Sequence, residues 1–133
     1  DFGHGTGHGV GYFLNVHEGP HGITPHLPPE PQTAMEPGMI TSNEPGIYRP
    51  GHWGVRIENL LLNVPGDPSE FGDFLRFETL TLCPIDTRLI ERLLMRSDEI
   101  GWLNAYHDEV RRRVSPHVSG AAAQWLQERT API

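Results

Sequence analysis

The sequence predicts an α+β chain: an antiparallel sheet over residues 1–85, then a helical stretch over residues 86–133. Three observations predict it. Short apolar runs are separated by Pro-Gly breaks at Pro45-Gly46, Pro50-Gly51 and Pro65-Gly66, the pattern of strands joined by tight turns. The run Gly3-His4-Gly5-Thr6-Gly7-His8-Gly9-Val10-Gly11 opposes helix, because each Gly costs roughly 1 kcal/mol relative to Ala in a helix interior. Near the end, Ile100, Leu103, Ala105, Tyr106 and Val110 recur at helical spacing.

The glycine run reads as a strand or tight loop. In a strand, His4, Thr6 and His8 share one face, and the two histidines stand roughly 13 Å apart at about 3.3 Å per residue. That separation is too large for both to bind one metal ion. The glycines let another segment approach closely. Tyr12–Pro20 then brings His17 beside a Gly-Pro turn. Residues 20–38, with Pro25, Pro28, Pro29, Pro31 and Pro37, read as a surface loop.

A β region follows. Met39–Glu44 is a short strand ended by Pro45, Ile47–Arg49 is a brief extended piece, Trp53–Val64 reads as one long strand, and Phe74–Leu82 is another. Short turns between them imply antiparallel pairing. Asp86 or Thr87 caps a short turn through Leu93. Ser97-Asp98-Glu99 starts a helix with acids in its first turn, Arg111-Arg112-Arg113 complement its end, and Pro116 stops it. A last helix runs from Ala121 to Arg129.

Composition narrows the function classes. The chain of 133 residues has 37% hydrophobic content and a mean hydropathy of −0.40, which is enough for one core. No apolar run approaches the roughly 20 residues of a membrane helix. A net charge of −7 argues against nucleic acid as a partner. The single Cys83 excludes an internal disulfide and a thiolate zinc cluster and suits a reducing compartment. Between Leu82 and Pro84 it reads as a small buried hydrophobe. With no initiator Met and no signal peptide, the chain reads as a piece of a longer protein.

Two constellations carry chemistry. Glu44 ends its strand before Pro-Gly, where a side chain can turn into a cleft, and Glu58 sits in the apolar run Val55–Leu60. A carboxylate there is costly unless paired or bound to a cation. Two Glu and one His on β structure make a hard, oxygen-rich site suited to Mn²⁺, Co²⁺ or Zn²⁺. An Arg56–Glu58 or Arg56–Glu44 ion pair without metal explains the same residues. His4, His8 and His17 cluster around glycines that clear space. His21, His26, His52, His107 and His117 read as exposed.

Four motifs, in order and at matching spacing, carry a resemblance: Gly3–Gly11, Asn15-Val16-His17-Glu18-Gly19-Pro20, Asn43-Glu44-Pro45-Gly46-Ile47-Tyr48 and Val55-Arg56-Ile57-Glu58-Asn59. Over nearly its whole length the chain resembles the C-terminal half of the Xaa-Pro aminopeptidases (aminopeptidase P), metallopeptidases of family M24. The tail, with Trp102–His107 and Trp125-Leu126, resembles the extension of the cytosolic-type enzymes. The resemblance implies a partial pita-bread fold: a curved antiparallel sheet over 1–85 and a helical extension over 86–133. It implies two divalent ions, Mn²⁺ first, with Zn²⁺ and Co²⁺ as alternatives. By motif position, His8, Glu44 and Glu58 resemble ligands, Glu58 the one that bridges both ions. His4 and His17 resemble the histidines that contact substrate, Glu44 a proton acceptor, and Tyr48 and Arg56 a pair supporting the ligand carboxylates. The family's two Asp ligands have no match here, and Asp1 is in the wrong place.

The implied activity is hydrolysis of the N-terminal Xaa-Pro bond by a hydroxide held on the dinuclear centre, in a cytoplasmic, homodimeric parent protein. The chain alone is expected to be inactive. Its partners are peptides with proline second, not nucleic acid or membrane. Prolidase is the nearest alternative; a pita-bread module that binds peptides or proteins without catalysis is another. A metal-free creatinase-like enzyme fits less well, because His8, Glu44 and Glu58 are all present.

Overall fold

The computed structural model describes residues 2–13, 15–26 and 34–133; Asp1 and the expected loop prolines Pro28, Pro29 and Pro31 lie outside them. The chain divides into two compact units, Asp1–Thr81 and Leu82–Ile133.

The first unit is a sheet. Its strands are β1 (Gly7–Val10), β2 (Gly22–Ile23), β3 (Ile40–Asn43), β4 (Gly46–Arg49), β5 (Trp53–Arg56), β6 (Asn59–Pro65) and β7 (Leu75–Thr79). A five-stranded antiparallel sheet has the order β2-β1-β3-β6-β7, and among the described residues β4 pairs only with β5. The glycines of β1 explain its place inside the sheet. A Cβ at Gly7 would collide with the Ser42 carbonyl, and one at Gly9 with the Glu18 carbonyl. Neighbouring backbone occupies the space that side chains would need.

The expected single strand Trp53–Val64 is two strands, broken at Ile57-Glu58. The reason lies on the facing chain. Pro45 has no N–H, so the ladder cannot continue past Glu44. β3 and β6 pair Asn43 with Asn59, and β4 and β5 pair Gly46 with Arg56. The register is the same on both sides of the gap, so Glu44 stands opposite Glu58.

Buried residues of this unit are mostly polar: His21, Thr41, Ser42, Asn59 and Asn63, with Leu61. Their alternation along β6, where Asn59, Leu61 and Asn63 are buried, is that of a strand with one covered face.

The second unit is helical. Single 3₁₀ turns at Thr87–Leu89 and Arg92–Leu94 precede α1 (Ser97–Val114), a 3₁₀ turn at Ser115–His117 contains Pro116, and α2 spans Gly120–Arg129. Asp98 and Glu99 occupy the first turn of α1 and Arg111, Arg112 and Arg113 its last, each favourable to the helix dipole. Glu99 Oε2 accepts the Arg96 N–H at 2.9 Å, closing the N-terminus. Tyr106, Val110 and Leu126 form the core, with Leu82, Ile85, Val114 and Val118 packed against it.

Two readings are corrected here, those of His107 and Cys83. His107 is fully buried, not exposed; its Nε2 accepts the Ile85 N–H at 3.1 Å. Burial, with Arg111 nearby, holds its pKa below the usual histidine value. Tyr106 is buried, and its hydroxyl donates to the Cys83 carbonyl at 2.7 Å. Cys83 itself is exposed: the segment is held through its carbonyl, and the thiol is left outside. Trp102 and Trp125 remain about half exposed.

Candidate active site

Each candidate residue is positioned by a different piece of the sheet unit. β1 carries His8. Its Nδ1 lies 2.9 Å from the Gly9 carbonyl, which can only accept, so Nδ1 bears a proton, and in the neutral ring Nε2 presents its lone pair. That nitrogen faces Glu44 Oε1 at 3.1 Å. Glu44 follows β3 directly. Its backbone N–H donates to the Thr6 carbonyl at 2.7 Å, its Oε1 accepts from the Ser42 hydroxyl at 3.1 Å, and its Oε2 lies 3.7 Å from an Arg56 nitrogen.

A second chain of bonds runs beside the first. His4 Nδ1 donates to the Gly5 carbonyl at 2.8 Å, so Nε2 accepts from the Tyr48 hydroxyl at 2.6 Å. The same hydroxyl accepts from Arg56 Nε at 2.9 Å. That hydrogen bond, with the charges of Glu44 and Glu58, raises the Arg56 pKa further. The ion pair foreseen between Arg56 and Glu44 is present and long, with Arg56 about half exposed and Glu44 largely covered, beside the His8 contact. His17 is exposed, its ring centre 4.2 Å from that of His8.

His4, His8, His17, Glu44, Tyr48 and Arg56 thus form one connected group. Glu58 is exposed in the gap between β5 and β6 and joins through its charge on Arg56. Among the described residues no three His, Cys, Asp or Glu side chains converge closely enough to hold an ion. The chemistry of the donor set still fits a divalent cation. His8 Nε2, a lone-pair donor whenever the ring is neutral, and a Glu44 carboxylate oxygen face one another at 3.1 Å. The other ring nitrogen is fixed by a carbonyl, as in metal-binding histidines. Two carboxylates stand opposite in register, and Arg56 lies near both charges; a divalent ion would add positive charge where like charges face one another.

Two residues escaped the sequence reading. His21 is 8% exposed, not an open surface histidine; its Nε2 donates to the Ile40 carbonyl at 2.9 Å. No sequence signal marks it, because Gly9 and Ile40, which close over its ring, are brought there only by the fold. Ser42 is fully buried, and its signal was its place two residues before Glu44, on the same strand face. A cleft of about 260 Å³ lined by Val10, Glu18, His21, Met39 and Ile40 among others includes none of His8, Glu44 and Glu58.

Comparison with known proteins decides the family. Residues 1–63 match the model of metallopeptidase family M24, and residues 73–133 match that of the C-terminal region of peptidase M24. The chain belongs to metallopeptidase family M24. Along its whole length it is 48% identical to a probable Xaa-Pro aminopeptidase P of Coprinopsis cinerea, covering 22% of that protein. It is 46% identical to aminopeptidase P2 of Arabidopsis thaliana, covering 19% of it. Among solved structures it is similar to X-prolyl aminopeptidase from Caenorhabditis elegans, described as a cytosolic enzyme with a di-nuclear active site. The TM-score is 0.85 at 39% identity, over all of this chain and 22% of that one. The chain spans about a fifth of the length of these M24 relatives. Its sheet and helices are part of the pita-bread fold, as the sequence predicts.

Proposed function

We propose that this chain is the C-terminal part of the catalytic domain of an Xaa-Pro aminopeptidase, which removes the first residue from peptides with proline second. One observation carries the reading: His8 Nε2 faces the Glu44 carboxylate, with Glu58 opposite Glu44 in register. In this reading His8, Glu44 and Glu58 hold two divalent ions, Mn²⁺ before Zn²⁺ or Co²⁺, together with two Asp ligands that this chain does not match. When bound, the ions supply the hydroxide nucleophile and polarise the scissile carbonyl. Glu44 takes up the proton released in the attack. His17 donates a hydrogen bond to the developing oxyanion. His4 contacts the substrate, with its ring oriented by Tyr48.

The domain reading places residues 1–85 in the sheet half of the catalytic domain and 86–133 in a helical extension. We place the whole protein in the cytoplasm as a homodimer; the half-exposed Trp102 and Trp125 support a dimer contact on the helical part. Sedimentation of the full-length protein as a monomer at micromolar concentration would remove that contact.

The deciding assay uses the full-length protein that carries this chain. Release of the first residue from an Xaa-Pro-Xaa tripeptide is expected to require Mn²⁺ and to be lost in Glu58→Gln. Activity on Xaa-Pro dipeptides alone would favour prolidase. A folded, inactive protein that still binds proline peptides would make it a binding module.

A further inference from the structure

We propose that Ser42 is a positioning residue that sets the orientation of Glu44 and His8 toward a bound cation. The proposal rests on the metal-site reading above and adds to it a residue outside the ligand set.

Ser42 is fully buried on β3. Its hydroxyl oxygen accepts the His8 backbone N–H at 2.9 Å. It has one hydrogen to give. Glu44 Oε1 is 3.1 Å away and the His8 carbonyl 3.4 Å. The nearer, charged acceptor takes it, because hydrogen bonds to ionised groups are the stronger ones. One hydroxyl therefore ties the backbone of one candidate ligand to the side chain of the other. Oε1 is also the oxygen that faces His8 Nε2. With one of its lone pairs engaged by Ser42, the carboxylate is held from rotating, and its remaining acceptor capacity stays toward the cation position.

The hydroxyl is not demanded by the strand itself. β3 has its own ladder bonds on both sides, to β1 and β6. The His8 N–H is a different matter: it turns to a side chain, not to a neighbouring strand's carbonyl. Both partners of the hydroxyl thus belong to the candidate ligands.

The test measures metal binding on the full-length metal-depleted protein. Mn²⁺ affinity is followed by calorimetry and Co²⁺ loading by its visible absorption, for the wild type, Ser42→Ala, Ser42→Cys and Glu44→Gln. Ser42→Ala is expected to weaken Mn²⁺ binding about 10–100-fold, the usual range for a group that orients a ligand, and to alter the Co²⁺ spectrum. Ser42→Cys, a weak donor of similar shape, is expected to fall between Ala and wild type, and it decides the question if the Ala variant does not fold. Unchanged affinity and spectrum in a folded Ser42 variant, with binding lost in Glu44→Gln, would overturn the positioning role and leave the site reading standing. Glu44→Gln binding like wild type would overturn both.

Discussion

The Tyr48 hydroxyl is a junction, accepting from Arg56 Nε and donating to His4 Nε2. Tyr48→Phe removes both bonds and leaves the ring in place. In the full-length protein, kcat on an Xaa-Pro-Xaa peptide is expected to fall about 10–100-fold. The circular dichroism spectrum is expected to stay unchanged; an unaltered kcat would show that His4 needs no such support. Much of this site is legible from residue types alone: His4, His8 and His17 stand out because glycines surround them, and Glu44 because Pro45 ends its strand. His21 and His107 do not stand out. A sequence shows that a histidine is present but not which segment covers it, and both are covered by chain distant in sequence or by packing across helices. The same limit hides Ser42, whose importance comes from two partners, one of them 34 residues away.

The β1–β3 contact depends on an absent side chain. Gly7→Ala places a methyl group on the Ser42 carbonyl. It is expected to destabilise the protein by about 1–3 kcal/mol, the usual result of forcing volume into packed structure; a melting temperature equal to wild type would count against the close approach. In the helical unit, His107 supplies a pH dependence. Its folded pKa is depressed, so the unfolded chain binds the proton more readily. The contribution is complete above the unfolded value of about 6.5 and is lost as pH falls toward the folded value. Urea midpoints are therefore expected to drop between about pH 7.5 and 5, and less so in His107→Gln; an equal drop in both would remove the assignment. Element boundaries were legible where local chemistry sets them, as at Ser97 and at Pro116. The break at Ile57-Glu58 was not, because Pro45 on the opposite strand causes it.

At the scale of the whole molecule, the family was legible because four motifs keep their order and spacing, whereas the burial of polar residues in the sheet unit was not. Its β4–β5 hairpin leaves Ile47, Trp53 and Val55 in water. A two-stranded hairpin alone is marginally stable, so these side chains mark a face made to be covered. The 133-residue chain expressed by itself is expected to self-associate at micromolar concentration; a clean monomer in sedimentation velocity would contradict this. The hairpin has a second consequence. Among the described residues it shares no ladder with the five-stranded sheet, yet Tyr48 and Arg56 come from it, while His8 and Glu44 come from or directly follow strands of that sheet. Deuterium is therefore expected to enter its amides well before those of β3 and β6, so that one wall of the candidate site is set in advance and the facing wall opens and closes on its own clock.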